Sequence, residues 1–150
     1  MEIIEEKGLE SLVLWHKAVK FAVQISQEIV KHFPDEEKWA LASQIRRSSQ
    51  SVPANIAEGY GRFYYQEGVR FAYIARGSLE ETFSHLTFAH EMGYISSEQF
   101  AEILVYINEI KKMINGYIAY LKRTKRGVKE PGVQYFTQGS REVDTPTPNP

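Results

Sequence analysis

Six polar side chains fall on one line of a single predicted helix. Counting about 100° per residue from Gln44, the side chains of Arg47, Ser51, Asn55, Glu58 and Arg62 all lie within roughly 60° of it. Two chemistries suit that set. Arg47 and Arg62 can clamp an anion while the amides of Gln44 and Asn55 orient it and Glu58 acts as acid or base. Alternatively, Glu58 neutralises both arginines and the amides complete a hydrogen-bonded network buried between helices or between subunits. The apolar line of Leu41, Ile45, Val52 and Ile56 is only about 60° to 120° away, so the polar line flanks the core, which favours the network.

Other reactive types are sparser. His16, His32, His85 and His90 are the metal candidates, and Glu28 with His32 or Glu81 with His85 share a helix face. A di-iron bundle needs Glu-x-x-His on two helices plus two further carboxylates, and that spacing is absent, so no metal is expected. The chain lacks a phosphate-cradling glycine loop, a Gly-x-Ser-x-Gly elbow and any cysteine. No catalytic residue and no cofactor are expected. Late in the chain Lys122, Arg123, Lys125 and Arg126 sit within about a turn and a half of helix. Such a cluster meets a phosphate backbone without reading bases, or else it only complements the negative end of a helix dipole.

The bulk numbers set limits on these readings. A net charge of −1 and a pI near 6.4 are far from the basic balance of a dedicated nucleic-acid-binding domain. The first twelve residues carry Glu2, Glu5, Glu6 and Glu10 against Lys7, the reverse of a secretory signal, and no stretch approaches about 20 apolar residues. A cysteine-free chain of this kind is expected in the cytoplasm, with no membrane partner.

The elements that must position these groups are helices. Leu14, Trp15, Ala18, Ala22, Ile25, Ile29 and Phe33 recur at spacings of three and four, predicting a first helix that stops at Pro34. Asp35 is expected to cap a second helix from about Glu36 to Gly59, kinked where Pro53 deprives the Ser49 carbonyl of its amide. Hydroxyls of Ser48, Ser49 and Ser51 are expected to take up part of that demand. A third helix spans about Tyr65 to Met92 and closes at Gly93, and a fourth opens at Ser96 with Gln99 as a capping box. The expected organisation is an acidic lead (1–11), a bundle (12–126) and a Pro/Thr-rich tail (127–150) in which Val133, Tyr135 and Phe136 can dock locally. Four long helices with short turns predict an all-α, up-down-up-down antiparallel four-helix bundle.

Phe71, Tyr73, Phe83 and Phe88 point in several directions about the third helix, and one bundle cannot bury them all. Ala72, Ala75, Gly77 and Ser78 add a small-residue patch that a second helix can approach. Apolar residues on more than one side predict a second interface, hence a homo-oligomer, against a thicker monomeric core.

The run Phe33-Pro34-Asp35-Glu36-Glu37 to Leu41, then Gln44-Ile45-Arg46-Arg47-Ser48 and Ser51-Val52-Pro53-Ala54-Asn55-Ile56-Ala57-Glu58-Gly59 with Arg62, closely resembles the four-helix-bundle family of 23S ribosomal RNA intervening-sequence proteins. Gly77-Ser78-Leu79-Glu80-Glu81 is similar to that family's third-helix motif, and the likeness covers about Leu12 to Arg123. The resemblance implies a homopentameric ring, encoded in some bacteria within an insertion in the large-subunit ribosomal RNA gene, and no enzymatic activity. More distantly, the chain is similar to accessory proteins of diversity-generating retroelements, bundles that engage reverse transcriptase and nucleic acid. The expected function is a non-enzymatic homo-oligomeric scaffold or adaptor whose partners are itself and RNA, DNA or a nucleic-acid-processing protein. The alternative is an anion or small-molecule-binding bundle using the polar line.

Overall fold

The structure, a computed structural model, describes residues 8–62 and 64–125. Arg126 and the tail from 127 lie outside the described residues. The first helix, α1 (Val13–Gln24), buries Leu14, Ala18, Phe21 and Ala22. At Ile25 its spacing changes: the Val30 amide bonds the Ile25 carbonyl five residues back, and the π turn Ile25–Ile29 passes into a tight turn, Val30–His32. One extra residue in a turn slips the helical phase, and Ile29 and Val30 both face inward as a result. The chain then reaches Phe33 and Pro34 in extended conformation, where the apolar pattern predicts the helix to stop.

The second helix differs from expectation at its start. Asp35–Glu37 form one isolated tight turn, Ala40 breaks the regular geometry, and α2 runs Leu41–Tyr60. Asp35 makes no capping bond. Glu37 does that work instead, its carboxylate accepting the Leu41 amide at 3.1 Å and the Tyr94 hydroxyl at 3.4 Å. With the helix start moved to Leu41, Asp35 is too far back to reach the first-turn amides. Pro53 is buried inside α2, and the helix continues through it. The neighbouring hydroxyls do not go to the Ser49 carbonyl as expected: Ser48 and Ser49 bond Ile45 O and Arg46 O, one turn earlier, and Ser51 faces Ser78.

The third helix, α3 (Tyr65–Glu91), ends as predicted. Gly93 has φ +80, its amide bonds His90 O, and the Tyr94 amide bonds Ala89 O, the paired closure that a left-handed residue permits. The capping box is present too: Ser96 Oγ accepts the Gln99 amide at 3.1 Å, Gln99 Oε1 accepts the Ser96 amide at 3.3 Å, and α4 (Ser97–Thr124) follows.

Sequential helices pack side by side and α1 returns against α4, closing an antiparallel up-down-up-down bundle. Phe21, Ile25, Ile45, Ile56, Leu79, Leu86, Ile107, Ile110 and Ile114 fill its axis. Each such side chain contributes about 1.5–3 kcal/mol by leaving water. No helix of the described residues is long and apolar enough to cross a membrane.

The α2 and α3 backbones nearly touch at one end. A Cβ on Gly59 would lie 2.8 Å from Phe71 Cβ and 3.2 Å from both Gly68 Cα and Gly68 O. Gly59→Ala should therefore lower stability by about 1–3 kcal/mol through overpacking. Gly116→Ala has open space around it on α4 and should raise stability by about 0.5–1 kcal/mol. Paired thermal melts check this, and an unchanged melting temperature for Gly59→Ala would refute the contact.

Candidate functional site

The six predicted polar residues do line one edge of α2, but the structure divides them into three local sets along the α2–α3 seam. At one end Arg47 Nη2 donates to Gln44 Oε1 at 2.9 Å and lies 3.8 Å from Glu81 of α3. In the middle Ser51 Oγ meets Ser78 Oγ at 2.8 Å, and the Asn55 amide donates to Ser51 O and Ser51 Oγ at 2.8 and 2.9 Å. At the far end Arg62 pairs with Glu58 at 2.5 Å. Glu58 thus neutralises Arg62 and not Arg47, because eleven residues of helix separate Glu58 from Arg47 by about 16 Å whatever face they share. The Arg47 side chain is 74% exposed, and Glu58 and Arg62 are half-exposed. Within one chain, then, only Ser51 and Asn55 belong to a partly buried network. Neither does the geometry assemble an anion clamp, since each guanidinium already faces a carboxylate.

Deeper in the same seam lies a hydroxyl pair that the polar line does not include. Thr82 Oγ1 is 2.8 Å from Ser48 Oγ and 2.8 Å from Ser78 O, fully buried. Of the small-residue patch, Ser78 meets α2 of the same chain, Ala72 and Ala75 are buried in the bundle core, and Gly77 points to open space.

The four aromatic candidates separate in the same way. Phe83 packs against the core, and Phe71 is half-buried beside Gly59 with Arg62 5.1 Å over its ring. Tyr73 and Phe88 are exposed, and Ile74 and Met92, which the aromatic reading passes over, are exposed with them. Aromatic type alone does not report direction; the helical angle of Ile74 does.

The second concentration of chemistry is at the end shared by the last turn of α2, the first turns of α3 and the last turns of α4. Lys122 Nζ donates to the Tyr73 hydroxyl at 2.8 Å, Arg76 lies 4.8 Å over the Tyr73 ring and donates to Asn115 Oδ1 at 2.8 Å, and Arg123 lies 6.0 Å over Tyr120. Elsewhere cations meet carboxylates: Lys17 with Glu109, Lys111 with Glu80, Arg62 with Glu58. Arg76, Lys122 and Arg123 instead face rings, an amide and a hydroxyl, and have no carboxylate within ion-pair distance among the described residues. Lys125 ends α4 in a left-handed conformation, its amide on Leu121 O. Arg126 lies outside the described residues. Of the basic cluster only Lys122, Arg123 and Lys125 are therefore placed, and Arg76 joins them across the helix boundary. Its signal in sequence was its three-residue spacing from Tyr73, which carries no information about α4.

Tyr117 occupies the same end. Burial, then the neighbouring phenols Tyr60 and Tyr120, push its hydroxyl from 10.0 up to about 12. At the opposite end burial, then Glu37 and Glu36, raise the Tyr94 hydroxyl as well.

His16, His85 and His90 serve local contacts, and His32 is exposed. His16 bonds Glu10 O at 2.6 Å, His85 lies 3.4 Å from Glu81, and His90 stacks on Phe100 at 4.5 Å and meets Ser97 at 3.2 Å. Among the described residues no three His, Asp or Glu side chains are grouped to hold a metal.

Fold and side-chain arrangement together define a small closed antiparallel bundle whose polar chemistry is spread along one helix seam and one basic, tyrosine-lined end. The chain belongs to the 23S rRNA-intervening sequence protein family, whose model matches residues 10–116, as the Ser51–Gly59 string led one to expect. It is also similar to a solved protein of unknown function from the S23 ribosomal protein family of Bacteroides thetaiotaomicron VPI-5482. The two share 30% identity and a TM-score of 0.65, over 71% of this chain and 98% of that one. No curated protein matches the chain. Lys122, Arg123 and Lys125 lie beyond the family-matched residues.

Two expectations follow. Glu58→Ala should change stability by no more than about 0.5 kcal/mol, as for an exposed i,i+4 pair, whereas Thr82→Val should cost about 0.5–1.5 kcal/mol by removing the buried hydroxyl bond to Ser48 across the seam. Denaturant melts decide, and a larger loss for Glu58→Ala would mean that Glu58 is buried by something outside the single chain. For Tyr117 the folded state holds the proton more tightly than the unfolded chain, so this stabilisation is intact below about pH 10 and lost as pH rises through about 12. Tyr117→Phe should flatten the alkaline stability loss over that window by about 2 kcal/mol, and identical pH profiles would contradict the assignment.

Proposed function

We propose that the chain is a non-enzymatic, homo-oligomeric scaffold of the cytoplasm that holds the basic ends of several copies against RNA or DNA. One observation carries the reading. Arg76, Lys122 and Arg123 are gathered at one end against aromatic and neutral partners, so their charges are not cancelled. Phosphate oxygens are the partners such cations lack, and tyrosine rings beside them suit bases that are already unstacked. The cluster covers one end of one bundle, too compact to read sequence, so contact per copy is weak and sequence-tolerant. Copies arranged about one axis would bring their clusters to one side, and effective concentration then raises the avidity of the whole.

Light scattering behind a sizing column should give a multiple of the chain mass, fivefold if the ring implied by the family resemblance forms. A monomer at micromolar concentration would end the scaffold reading. Fluorescence anisotropy with labelled RNA and DNA at ~50 mM salt should show binding whose log affinity falls against log salt by roughly 0.7–0.9 per phosphate contact. Replacing Lys122, Arg123 and Lys125 together by Ser should flatten that slope without changing the assembly mass. Absence of binding by the intact assembly would leave a scaffold for proteins only.

A further inference from the structure

We infer that the cavity between the end of α1 and the start of α2 binds a small phosphomonoester whose body carries hydroxyl groups, at a site separate from the basic end. The cavity measures about 790 Å³, within the usual range for sites that take a small organic molecule. It arises where the chain leaves regular helical geometry. The π turn Ile25–Ile29, the tight turn Val30–His32 and the extended Phe33–Pro34 carry the backbone around the first turns of α2 and leave space between. Val30, Phe33 and Ala42, all buried, form the floor. Ser26 and Gln27 at its edge also border a smaller apolar groove of about 500 Å³, walled by Trp15, Val23 and Pro53, which has no charged side chain to orient a ligand.

Charge selects the ligand. Lys31, Lys38 and Arg46 line the cavity together with Glu28 and Asp35, and none of the five is in an ion pair among the described residues. Glu28 and Lys31, like Asp35 and Lys38, are three residues apart, a spacing at which opposite charges can pair, yet these stay separate. Lys38, Ala42 and Arg46 follow one another at spacings of four, and the small Ala42 side chain keeps the gap between two long cations open. Lys38 lies 5.2 Å over the exposed Trp39 ring, a contact that leaves its charge uncancelled. Arg46 is half-buried, and its guanidinium has no acceptor among the described residues. Such a group gains most from an anion that offers two oxygens side by side. Three separate cationic heads suit an oxyanion with three oxygens and close to two charges, which a phosphomonoester supplies and a carboxylate does not. Glu28 and Asp35 on the same wall repel a chain of phosphates and accept hydrogens from hydroxyl groups. At the basic end, by contrast, no carboxylate pairs with Arg76, Lys122 or Arg123 among the described residues. Counting about 1.5 Å per residue along α2, Arg46 stands about 21 Å from Tyr60 at that end, so one small molecule does not reach both.

Calorimetric titration of the full chain with ribose 5-phosphate should show a single class of site with a dissociation constant of ~0.01–1 mM, and ribose itself should not bind. Arg46→Gln should weaken ribose 5-phosphate by about tenfold or more, the loss of one charge-assisted contact, with helical circular dichroism retained. Lys31→Gln/Lys38→Gln, at two exposed positions, should weaken it as well and keeps the test valid if Arg46→Gln fails to fold. Equal affinity for gluconate, a hydroxylated carboxylate, would overturn the phosphate assignment, and equal affinity for inorganic phosphate would overturn the ligand body. Binding that survives both variants but is lost when Lys122, Arg123 and Lys125 become Ser would move the site to the basic end and overturn the proposal. So would the absence of both heat and a rise in melting temperature at ~10 mM ribose 5-phosphate.

Discussion

Two helices approach only as closely as the side chains between them allow, and the rest of this bundle is arranged around the closest approach it contains. Along α2 and α3 the seam is made of glycines at one end, Gly59 against Gly68, and of hydroxyls through the middle, Ser51 against Ser78 and Ser48 against Thr82. Small residues bring the backbones together, and hydroxyls then have to find one another, because a buried hydroxyl without a partner costs about 1–3 kcal/mol. Apolar packing alone tolerates sliding by a turn; a ladder of paired hydroxyls does not. Sliding α3 by one turn would break the Ser51–Ser78 and Ser48–Thr82 contacts, the two hydroxyl bonds that cross the seam.

That fixed register reaches the surface. Because α3 cannot slide on α2, the face it turns to α4 is fixed too, and Tyr73 and Arg76 stand opposite Lys122 and Asn115 while Glu80 stands opposite Lys111. Charge is cancelled midway along the α3–α4 rim and left uncancelled at its end. The difference arises from which side chains α3 offers at each level: a carboxylate at Glu80, a phenol at Tyr73. The basic end is thus a consequence of helix register as much as of the number of lysines.

What the sequence made legible, and what it did not, divides along the range of the interactions involved. The Gly93 closure and the Ser96–Gln99 box involve residues a few positions apart, and both appear where the pattern places them. So does the apolar stripe of each helix. The polar residues of α2 lie along one edge of the helix in three local sets. An angle about one helix states the direction relative to that helix's own core and not which neighbour covers it. Ser51 meets Ser78 of α3 and Asn55 bonds Ser51, while Arg47, Glu58 and Arg62 project at the rim where longer side chains reach water. Asp35 failed as a cap for a related reason. Composition marks a helix start only to within a few residues, and Ala40 moved this one to Leu41.

The π turn in α1 shows how a demand of the core shapes an outer surface. A regular helix brings a residue back to the same face after 3.6 positions, which sets Val30 about 140° from Ile25, and the wider turn brings the two closer in phase. One wide turn accommodates all three. Residues on the outside of that turn, Ser26 and Gln27, line both the apolar groove and its charged continuation, joining the two into one channel along α1 and α2. Pro53 lies opposite on α2, where its ring forms part of the groove wall and its missing amide leaves no donor to satisfy there. The conformational irregularity that shapes this groove comes from filling the bundle's own core.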